Sequence, residues 1–178
     1  MAKLRKASAY RRIERPYTRK SKYRAKSYVR ANPNNLVVKF EMGDTTKNFP
    51  WVASLICQEP VQIRHNALEA ARKSANRLLE TKLGKKGYRF RIKAFPHHVL
   101  RENPLASGAG ADRMSTGMKM SFGKSIGLAA QMKEGQIILE VQVEKKDLPV
   151  ARLACQRANH KFACPTLIVI DEQTIKPV

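Results

Sequence analysis

Residues 66–94 have the sequence NALEAARKSANRLLETKLGKKGYRFRIKA, in which a helical periodicity gives way to a strand periodicity. From 66 to 83 the apolar side chains recur at helical spacing, while Arg72, Lys73 and Arg77 face elsewhere. Gly84 then fits a helix C-cap, because glycine tolerates the left-handed backbone found there. We therefore predict a helix over residues 66–83 whose buried stripe consists of Leu68, Ala71, Ala75, Leu78 and Leu79.

The segment that follows this helix predicts a half-buried strand with one basic face. Tyr88, Phe90, Ile92 and Ala94 alternate with Arg89, Arg91 and Lys93. Seven basic residues and no acid lie between Lys82 and Arg101. A pleated row of cations suits phosphates, whereas an ordinary solvated strand face, which remains the alternative, usually mixes signs. We predict RNA contacts from Lys85, Lys86, Arg89, Arg91 and Lys93.

Further strands are predicted on both sides of this unit. Before it, residues 36–40 form one strand, and residues 51–58 and 61–64 form a strand region broken at Pro60, which cannot donate to a sheet. After it, strands are predicted at 126–132 and 136–144, joined by a turn at Gly135, and at 166–170.

A second helix is predicted to start at Asp147 as N-cap, with Pro149 in its first turn. It should run to about residue 162 on a stripe of Val150, Leu153, Ala154 and Phe162. Because strands outnumber helices and do not alternate with them regularly, the predicted fold class is α+β, with two main helices on a mixed or antiparallel sheet.

Size and charge bound the possible functions. The 178 residues are enough for one domain, predicted at 34–178, and hydrophobic residues make up 43% of the chain. The net charge of +21 implies a polyanionic partner, because such self-repulsion destabilises a compact monomer. No apolar run is long enough to span a membrane, and the N-terminus lacks the apolar core of a secretory signal. Three cysteines without a CxxC pair favour a reducing cytoplasm.

Residues 1–33 are predicted to form an extended basic arm. Residues 1–30 hold twelve of the 35 Lys and Arg, one acid and four of the five tyrosines, with neither helical nor strand periodicity. Guanidinium groups pair with phosphates and tyrosine rings stack on unpaired bases. A solvated tail or a membrane-surface segment is the alternative, although the latter should have an apolar face. The predicted RNA contacts are Arg11, Arg12, Arg15, Tyr17, Arg19, Lys20, Lys22, Tyr23, Arg24 and Lys26.

Residues 102–123 predict a long Gly-rich loop that orders against RNA. The segment ENPLASGAGADRMSTGMKMSFG holds four of the nine glycines and has no clear periodicity. Long loops without secondary structure are usually functional or disordered, so a surface loop without a role is the alternative. The predicted contacts are Gly108, Gly110, Arg113, Lys119 and Lys124, because glycines permit close approach and cations pair with phosphates.

No catalytic, metal or cofactor site is predicted. Gly123-Lys124-Ser125 resembles the end of a phosphate-binding P-loop, but Met118 stands where the first glycine should be. His97 and His98 are adjacent and should point to opposite faces of a strand. Cys155, His160 and Cys164 do not fall on one side of the predicted helix and its exit, so buried cysteines are expected. Glu69 and Glu80 are expected to face solvent.

Several motifs together resemble one known family. They are Ala67-Leu68-Glu69-Ala70-Ala71-Arg72 with Ala75-Asn76, Gly84, Gly87-Tyr88, His98-Val99-Leu100-Arg101, Gly108-Ala-Gly-Ala-Asp112-Arg113, Thr116-Gly117-Met118 and Ser121-Phe122-Gly123-Lys124. Over residues 11–170 the chain resembles the large-subunit ribosomal protein L-ten-e, also called the QM protein, whose bacterial relative is L-sixteen. The chain ends at Val178 without the longer eukaryotic extension, so it resembles the archaeal type of this family.

The resemblance implies an α/β-hammerhead type of fold, and a seat on large-subunit ribosomal RNA near the aminoacyl-tRNA site. Two further RNA contacts are predicted from the residues themselves: Arg101, which ends the basic stretch that starts at Lys82, and His98, for which packing or RNA contact is expected. The resemblance also implies neighbouring ribosomal proteins as partners and raises aminoacyl-site tRNA as a further one. No membrane contact and no homo-oligomer are expected. The first hypothesis is a ribosome-bound cytoplasmic structural protein. The alternatives are a free-standing RNA-binding factor in translation or ribosome assembly, and a nucleotide-dependent enzyme.

Overall fold

Two antiparallel sheets and two helices form the fold in the computed structural model, which describes residues 4–13, 23–26, 32–103 and 121–173. The helices are α1 (His65–Leu83) and α2 (Leu148–Asn159), and 3-10 turns lie at Arg24–Lys26 and Lys145–Asp147. The α+β class is confirmed. The strands are β1 (Glu41–Gly43), β2 (Trp51–Cys57), β3 (Val61–Arg64), β4 (Arg89–Ile92), β5 (His98–Glu102), β6 (Lys124–Met132), β7 (Ile137–Val143) and β8 (Thr166–Glu172).

Helix α1 follows the predicted stripe. Its buried residues are those expected from the periodicity, and Leu68 and Leu79 are almost completely excluded from solvent. Each fully buried leucine contributes about 1.5–3 kcal/mol relative to an exposed one. Gly84 ends the helix at φ 69°, and its N–H donates to the Glu80 carbonyl at 3.1 Å. Packing of this apolar face therefore holds the helix against the core.

The larger sheet has the strand order β1-β4-β7-β2-β8, and every neighbouring pair is antiparallel. In its centre, β2 and β7 pair with Ala53 opposite Val141, and α2 packs against β2. The alternation predicted for residues 88–94 is confirmed, because Tyr88, Phe90, Ile92 and Ala94 are all buried. The basic residues between them therefore lie on the opposite face of β4.

The smaller sheet has the order β3-β6-β5, so β2 and β3 belong to different sheets. Three residues, 58–60, separate them, and Pro60 lies at the point where the chain leaves one sheet for the other. A turn at Gly135, with φ 74°, connects β6 of the smaller sheet to β7 of the larger one. The predicted break at Pro60 and the turn at Gly135 are therefore both confirmed, and each is a junction between the sheets.

The strand predicted at residues 36–40 is wrong. The structure places the first strand at Glu41–Gly43, where Glu41 is the partner of Arg91. Val37 is 1% exposed whereas Val38 is 81% exposed, and the Asn35 side chain accepts a hydrogen bond from the Val37 N–H. The apolar run contributes single side chains to the core rather than a paired edge, so local composition shifted the prediction toward the N-terminus.

The stripe predicted for the second helix is found only in part: Ala154 is buried, and Val150 and Phe162 pack partly buried against the core, but the prediction of Leu153 is wrong. The positions of Asp147 and Pro149 at the start of the helix are confirmed. The helix ends at Asn159, and its buried residues are Ala151, Ala154, Cys155 and Ala158, while Leu153 is 42% exposed. Small side chains face inward because α2 packs against both α1 and β2. The prediction followed side-chain size, whereas close packing selects small residues at such a contact.

The remaining strand predictions differ from the structure at their ends. Strand β6 begins two residues before the predicted start at 126, and β8 extends two residues beyond the predicted end at 170. Strand β7 is one residue shorter than predicted at each end.

Candidate RNA-binding surface

The basic face of β4 carries its own counter-charges. Glu41 on β1 lies 2.7 Å from Arg91 Nε and 3.4 Å from Arg89 Nη2. The Arg91 Nε–H is not aligned for a hydrogen bond, so attraction between the two charges holds that pair. Lys93 Nζ lies 3.2 Å from the Glu140 carboxylate on β7. The row of cations is therefore partly neutralised by acids that neighbouring strands bring beside it.

Lys85 and Lys86 lie in the exposed turn that connects α1 to β4. Lys85 Nζ is 4.0 Å from Glu80, a distance that holds the charge only weakly in water. These two ammonium groups lie where an approaching polyanion can reach them.

A second group of predicted contacts surrounds the two ends of the Gly-rich loop. Strands β5 and β6 pair at Glu102 with Lys124 and at Arg101 with Ser125, so the loop connects two neighbouring strands. Arg101 Nη1 donates to the Gly123 carbonyl at 2.5 Å, and its guanidinium lies 4.1 Å from the Phe122 ring centroid. We call residues 101–103 and 121–124 the loop stem.

Gly123 is required by the geometry of the loop stem. Its φ is 77°, and a Cβ at this position would lie 2.6 Å from the Glu102 carbonyl group. A side chain would therefore push apart the two ends of the loop that Arg101 holds together.

Residues 4–13, which we call the N-terminal turn, fold back onto the smaller sheet instead of extending from it. The Gln62 N–H donates to the Arg11 carbonyl at 2.8 Å, which satisfies a donor on the outer strand β3. The Arg64 guanidinium donates to the Arg5 and Lys6 carbonyls at 3.2 and 3.1 Å. The extended conformation predicted for the arm is therefore not found in this part of it, because the backbone of the turn covers the sheet edge.

The N-terminal turn also contacts the loop stem directly. Arg5 forms an ion pair with Glu102, and the Tyr10 hydroxyl donates to the Arg101 carbonyl at 3.4 Å. Burial, together with the charge of Glu102, raises the pKa of Tyr10. Arg11 lies 3.8 Å from Glu59, and Arg12 is exposed beside it. The turn thus places guanidinium groups beside the loop stem.

Sequence reasoning missed two of these residues. Arg5 lies in the same basic N-terminal segment as Arg11 and Arg12, so the argument that predicted those two contacts could have included it. Arg64 is a single cation at the end of a strand, and its role depends on a segment about 58 residues away. No local pattern could have found it.

The predicted contacts fall into two groups and a remainder. The β4 face and the turn before it belong to the larger sheet, whereas the N-terminal turn, Arg101, His98 and Lys124 belong to the smaller one. Tyr23 and Lys26 lie at the short 3-10 turn, with the Lys26 ammonium 5.4 Å from the Tyr23 ring centroid. Outside the described residues lie Arg15, Tyr17, Arg19, Lys20, Lys22, Gly108, Gly110, Arg113 and Lys119, and the side chain of Arg24 is likewise not described.

The residues considered for a nucleotide or metal site are not arranged as such a site requires. Lys124 is the first residue of β6, so Gly123-Lys124-Ser125 leads into a strand, whereas a P-loop leads into a helix. His97 is exposed with Nδ1 3.2 Å from the Phe95 carbonyl, while His98 is half-buried. Burial, and less so the charge of His97, lowers the pKa of His98. Within the described ranges, no three His, Cys, Asp or Glu side chains are grouped to hold a metal ion.

The acidic and thiol side chains have structural surroundings. The prediction that Glu69 faces solvent is wrong, because its side chain is only 15% exposed. Its carboxylate accepts two hydrogen bonds from Arg72, at 2.8 and 2.7 Å. Those bonds lower the pKa of Glu69. Cys155 and Cys164 are buried, as expected, and so is Cys57. Burial raises the pKa of Cys155 to about 12. In the described part of the chain, no helix is long and apolar enough to cross a bilayer.

Comparison with known proteins gives a consistent result. The profile of the family described as ribosomal protein L16p/L10e matches residues 13–169. The large ribosomal subunit protein uL16 of Archaeoglobus fulgidus is 43% identical over 93% of this chain and 92% of its own length. The proteins of the same name from Methanococcus aeolicus and Methanocella arvoryzae are each 44% identical, the first over 94% of both chains and the second over 84% and 87%.

Proposed function

Because the chain belongs to the ribosomal protein L16p/L10e family, we propose that it is a structural component of the large ribosomal subunit that binds the RNA of that subunit. The observation that carries this is 43% identity to an archaeal large-subunit protein over more than nine-tenths of the chain. The protein is not an enzyme: its task is to hold RNA by contact and shape. The net charge of +21 supports this assignment, because a polyanion is needed to neutralise it.

The RNA contacts in this proposal come from both groups of cations. On the smaller sheet, the N-terminal turn offers Arg5 and Arg12 and the loop stem offers Lys124, while β4 offers Arg89 and Arg91 on the larger one. A guanidinium group can donate two parallel hydrogen bonds to the oxygens of one phosphate, and this geometry suits RNA held in a fixed register. The arm residues and the loop glycines outside the described ranges complete the proposed interface.

The finer part of the proposal concerns location. The Gly-rich loop reaches toward aminoacyl-site tRNA, and the chain acts as a single copy bound to cytoplasmic ribosomes with the α/β-hammerhead arrangement of its family. Support comes from the loop stem, where Arg101 donates to the Gly123 carbonyl and Tyr10 donates to the Arg101 carbonyl, so that both ends of the loop are anchored. A fixed exit is what a loop needs to present the same residues to RNA in every particle.

Sedimentation of cell extracts tests the ribosomal assignment. The tagged full-length chain should sediment with the large subunit and stay there through a wash at moderate salt, because many phosphate contacts act together. A chain found mainly in the slowly sedimenting fractions would refute the assignment and favour the free-standing RNA-binding factor. For the location of the loop, a photo-cross-linker at residue 108 should form adducts with large-subunit RNA and with bound tRNA, whereas one at exposed Gln156 on α2 should not.

A further inference from the structure

A cavity of about 300 Å³ lies where the N-terminal turn, β3, the start of α1 and the segment after α2 meet. Its walls are mostly aliphatic, with Leu4 and Ala7 on the N-terminal turn and Ala67 and Ala70 on α1. Leu4 is 79% exposed beside it, so an apolar surface continues outward from the cavity. Neither β4 nor Arg12 contributes to the residues that line this cavity.

One polar group in this apolar wall lacks a partner. The Asn66 Oδ1 atom is excluded from solvent and accepts no hydrogen bond from any described residue. Buried acceptors of this kind are rare, so each calls for an explanation, and one explanation is a donor that a bound partner supplies. The same amide also carries N–H donors, so Asn66 can recognise an edge that has both a donor and an acceptor. Nucleobases have such edges, and asparagine pairs with adenine in this way.

The charge around the cavity limits the occupant further. Arg64 and Lys161 are among the lining residues, and none of the described side chains that line it is acidic. The first turn of α1 also contains no acid, and no side chain caps its N-terminus. An aliphatic side chain from a protein would leave Asn66 Oδ1 without a donor, and the carboxylate of an acidic peptide would bring another acceptor. A base attached to a phosphate backbone can donate to the amide oxygen and bring negative charge beside Lys161 and Arg64, although Arg64 already donates to the Arg5 and Lys6 carbonyls.

We infer that this cavity binds one unpaired base of RNA, with Asn66 on the edge of the base and Arg64 and Lys161 near its phosphates. The inference rests on the proposed function and deepens it, because it names a site where the protein reads a nucleotide rather than the backbone alone. The exposed position of Ala70 on the cavity wall allows the space to be filled without disturbing the core.

The test uses the full-length chain and two short oligoribonucleotides of equal length and charge, one adenylate and one abasic. Their affinities are measured by fluorescence anisotropy at one salt concentration for the wild type, Ala70→Leu, Asn66→Ala and the control Thr81→Leu. Thr81 is exposed at the far end of the same helix. The ratio of the two affinities isolates the base, because charge contributes equally to both ligands.

We expect this ratio to fall about tenfold in Ala70→Leu and in Asn66→Ala and to stay unchanged in Thr81→Leu, since one base contact is worth about that factor or more. Asn66→Ala should also unfold at the same or higher urea concentration than the wild type, because the substitution removes an unsatisfied group. An unchanged ratio in both cavity variants, or an equal loss of affinity for both oligonucleotides, would overturn the inference.

Sedimentation of the same variants separates this inference from the ribosomal assignment. If Ala70→Leu weakened attachment to the subunit while the affinity ratio stayed constant, the occupant would be a protein and the base inference would be wrong. If the wild type itself failed to sediment with the subunit, the proposed function would fall whatever the ratio showed.

Discussion

Replacing Glu41 by Gln tests whether the basic face of β4 binds RNA or serves only to hold the sheet together. Glu41 pairs with both Arg89 and Arg91, and its side chain is 40% exposed. Partly exposed pairs of this kind contribute about 0–1 kcal/mol each, so loss of both should lower the free energy of unfolding by no more than about 2 kcal/mol. The domain should therefore stay folded while two guanidinium groups lose the carboxylate that competes with phosphate.

The expected effect on RNA binding follows from counterion release. Each additional phosphate neutralised steepens the dependence of log affinity on log salt by about 0.7–0.9, so two arginines should add about 1.4–1.8 to the slope. Affinity at low salt should rise accordingly. The assay is filter binding or anisotropy with large-subunit RNA fragments across a salt series, with urea unfolding measured in parallel.

The matched control is Glu134→Gln, which makes the same change in net charge at an exposed position in the turn between β6 and β7. We expect it to change the slope by much less than half as much. Adding Arg91→Gln to Glu41→Gln should remove about half of the gain. Equal slopes in the Glu41 and Glu134 variants would refute the reasoning, because net charge alone would then explain the result.

Three further predictions concern stability and reactivity. Burial, and less so the charge of Arg64, lowers the pKa of His65 below its ordinary 6.5, and His65 Nδ1 lies 3.4 Å from the Leu36 N–H as its acceptor. Its contribution to stability is therefore complete above pH 6.5 and is lost as the pH falls through the folded-state pKa. In His65→Gln, the free energy of unfolding measured with urea should therefore fall less between pH 7.5 and 5 than in the wild type. An equally small fall in the variant of the exposed His97, His97→Gln, would contradict this. Gly43→Ala should cost at least about 2 kcal/mol in urea unfolding, since at φ 84° its Cβ would lie 2.1 Å from the Tyr88 carbonyl oxygen. Gly135→Ala, with a similar φ but open space around it, should cost about 1 kcal/mol, and equal losses would show that the clash is relieved. The three cysteines are buried, and burial raises the pKa of Cys155 and Cys164 to about 12, so an aromatic disulfide reagent at pH 8 should label none in the native protein and three after denaturation. Fast labelling without denaturant would contradict that burial.

Local periodicity was enough to predict the elements whose residues all face one environment. The stripe of α1 and the alternation around Phe90 were read from the sequence, because a helix or strand with one apolar face repeats its pattern within a few residues. The breaks at Pro60 and Gly135 were also readable, since both depend on backbone chemistry of single residues. The family motifs pointed to the same ribosomal protein family that the comparisons found.

Elements governed by distant partners could not be read in this way. The inward face of α2 carries Ala151 and Ala158 because α1 and β2 pack closely against it. The sequence of α2 alone does not predict that contact. Likewise, residues 36–40 are apolar enough for a strand, yet the available edge of β4 pairs with Glu41–Gly43. Which side chains are buried was decided by neighbours, not by their own hydrophobicity.

The sequence by itself determined the sign of the surface and the positions of the cations, because charge is a property of each residue. Only the tertiary structure decided which cations remain available. Glu41 is 48 residues from Arg89 in the chain, and sheet pairing brings the two side chains together. The same is true of the N-terminal turn, which reaches Arg64 and Glu102 across the fold. Electrostatic attraction depends on the distance between two charges in space, and the sequence predicts that distance only for residues that are close together in the chain.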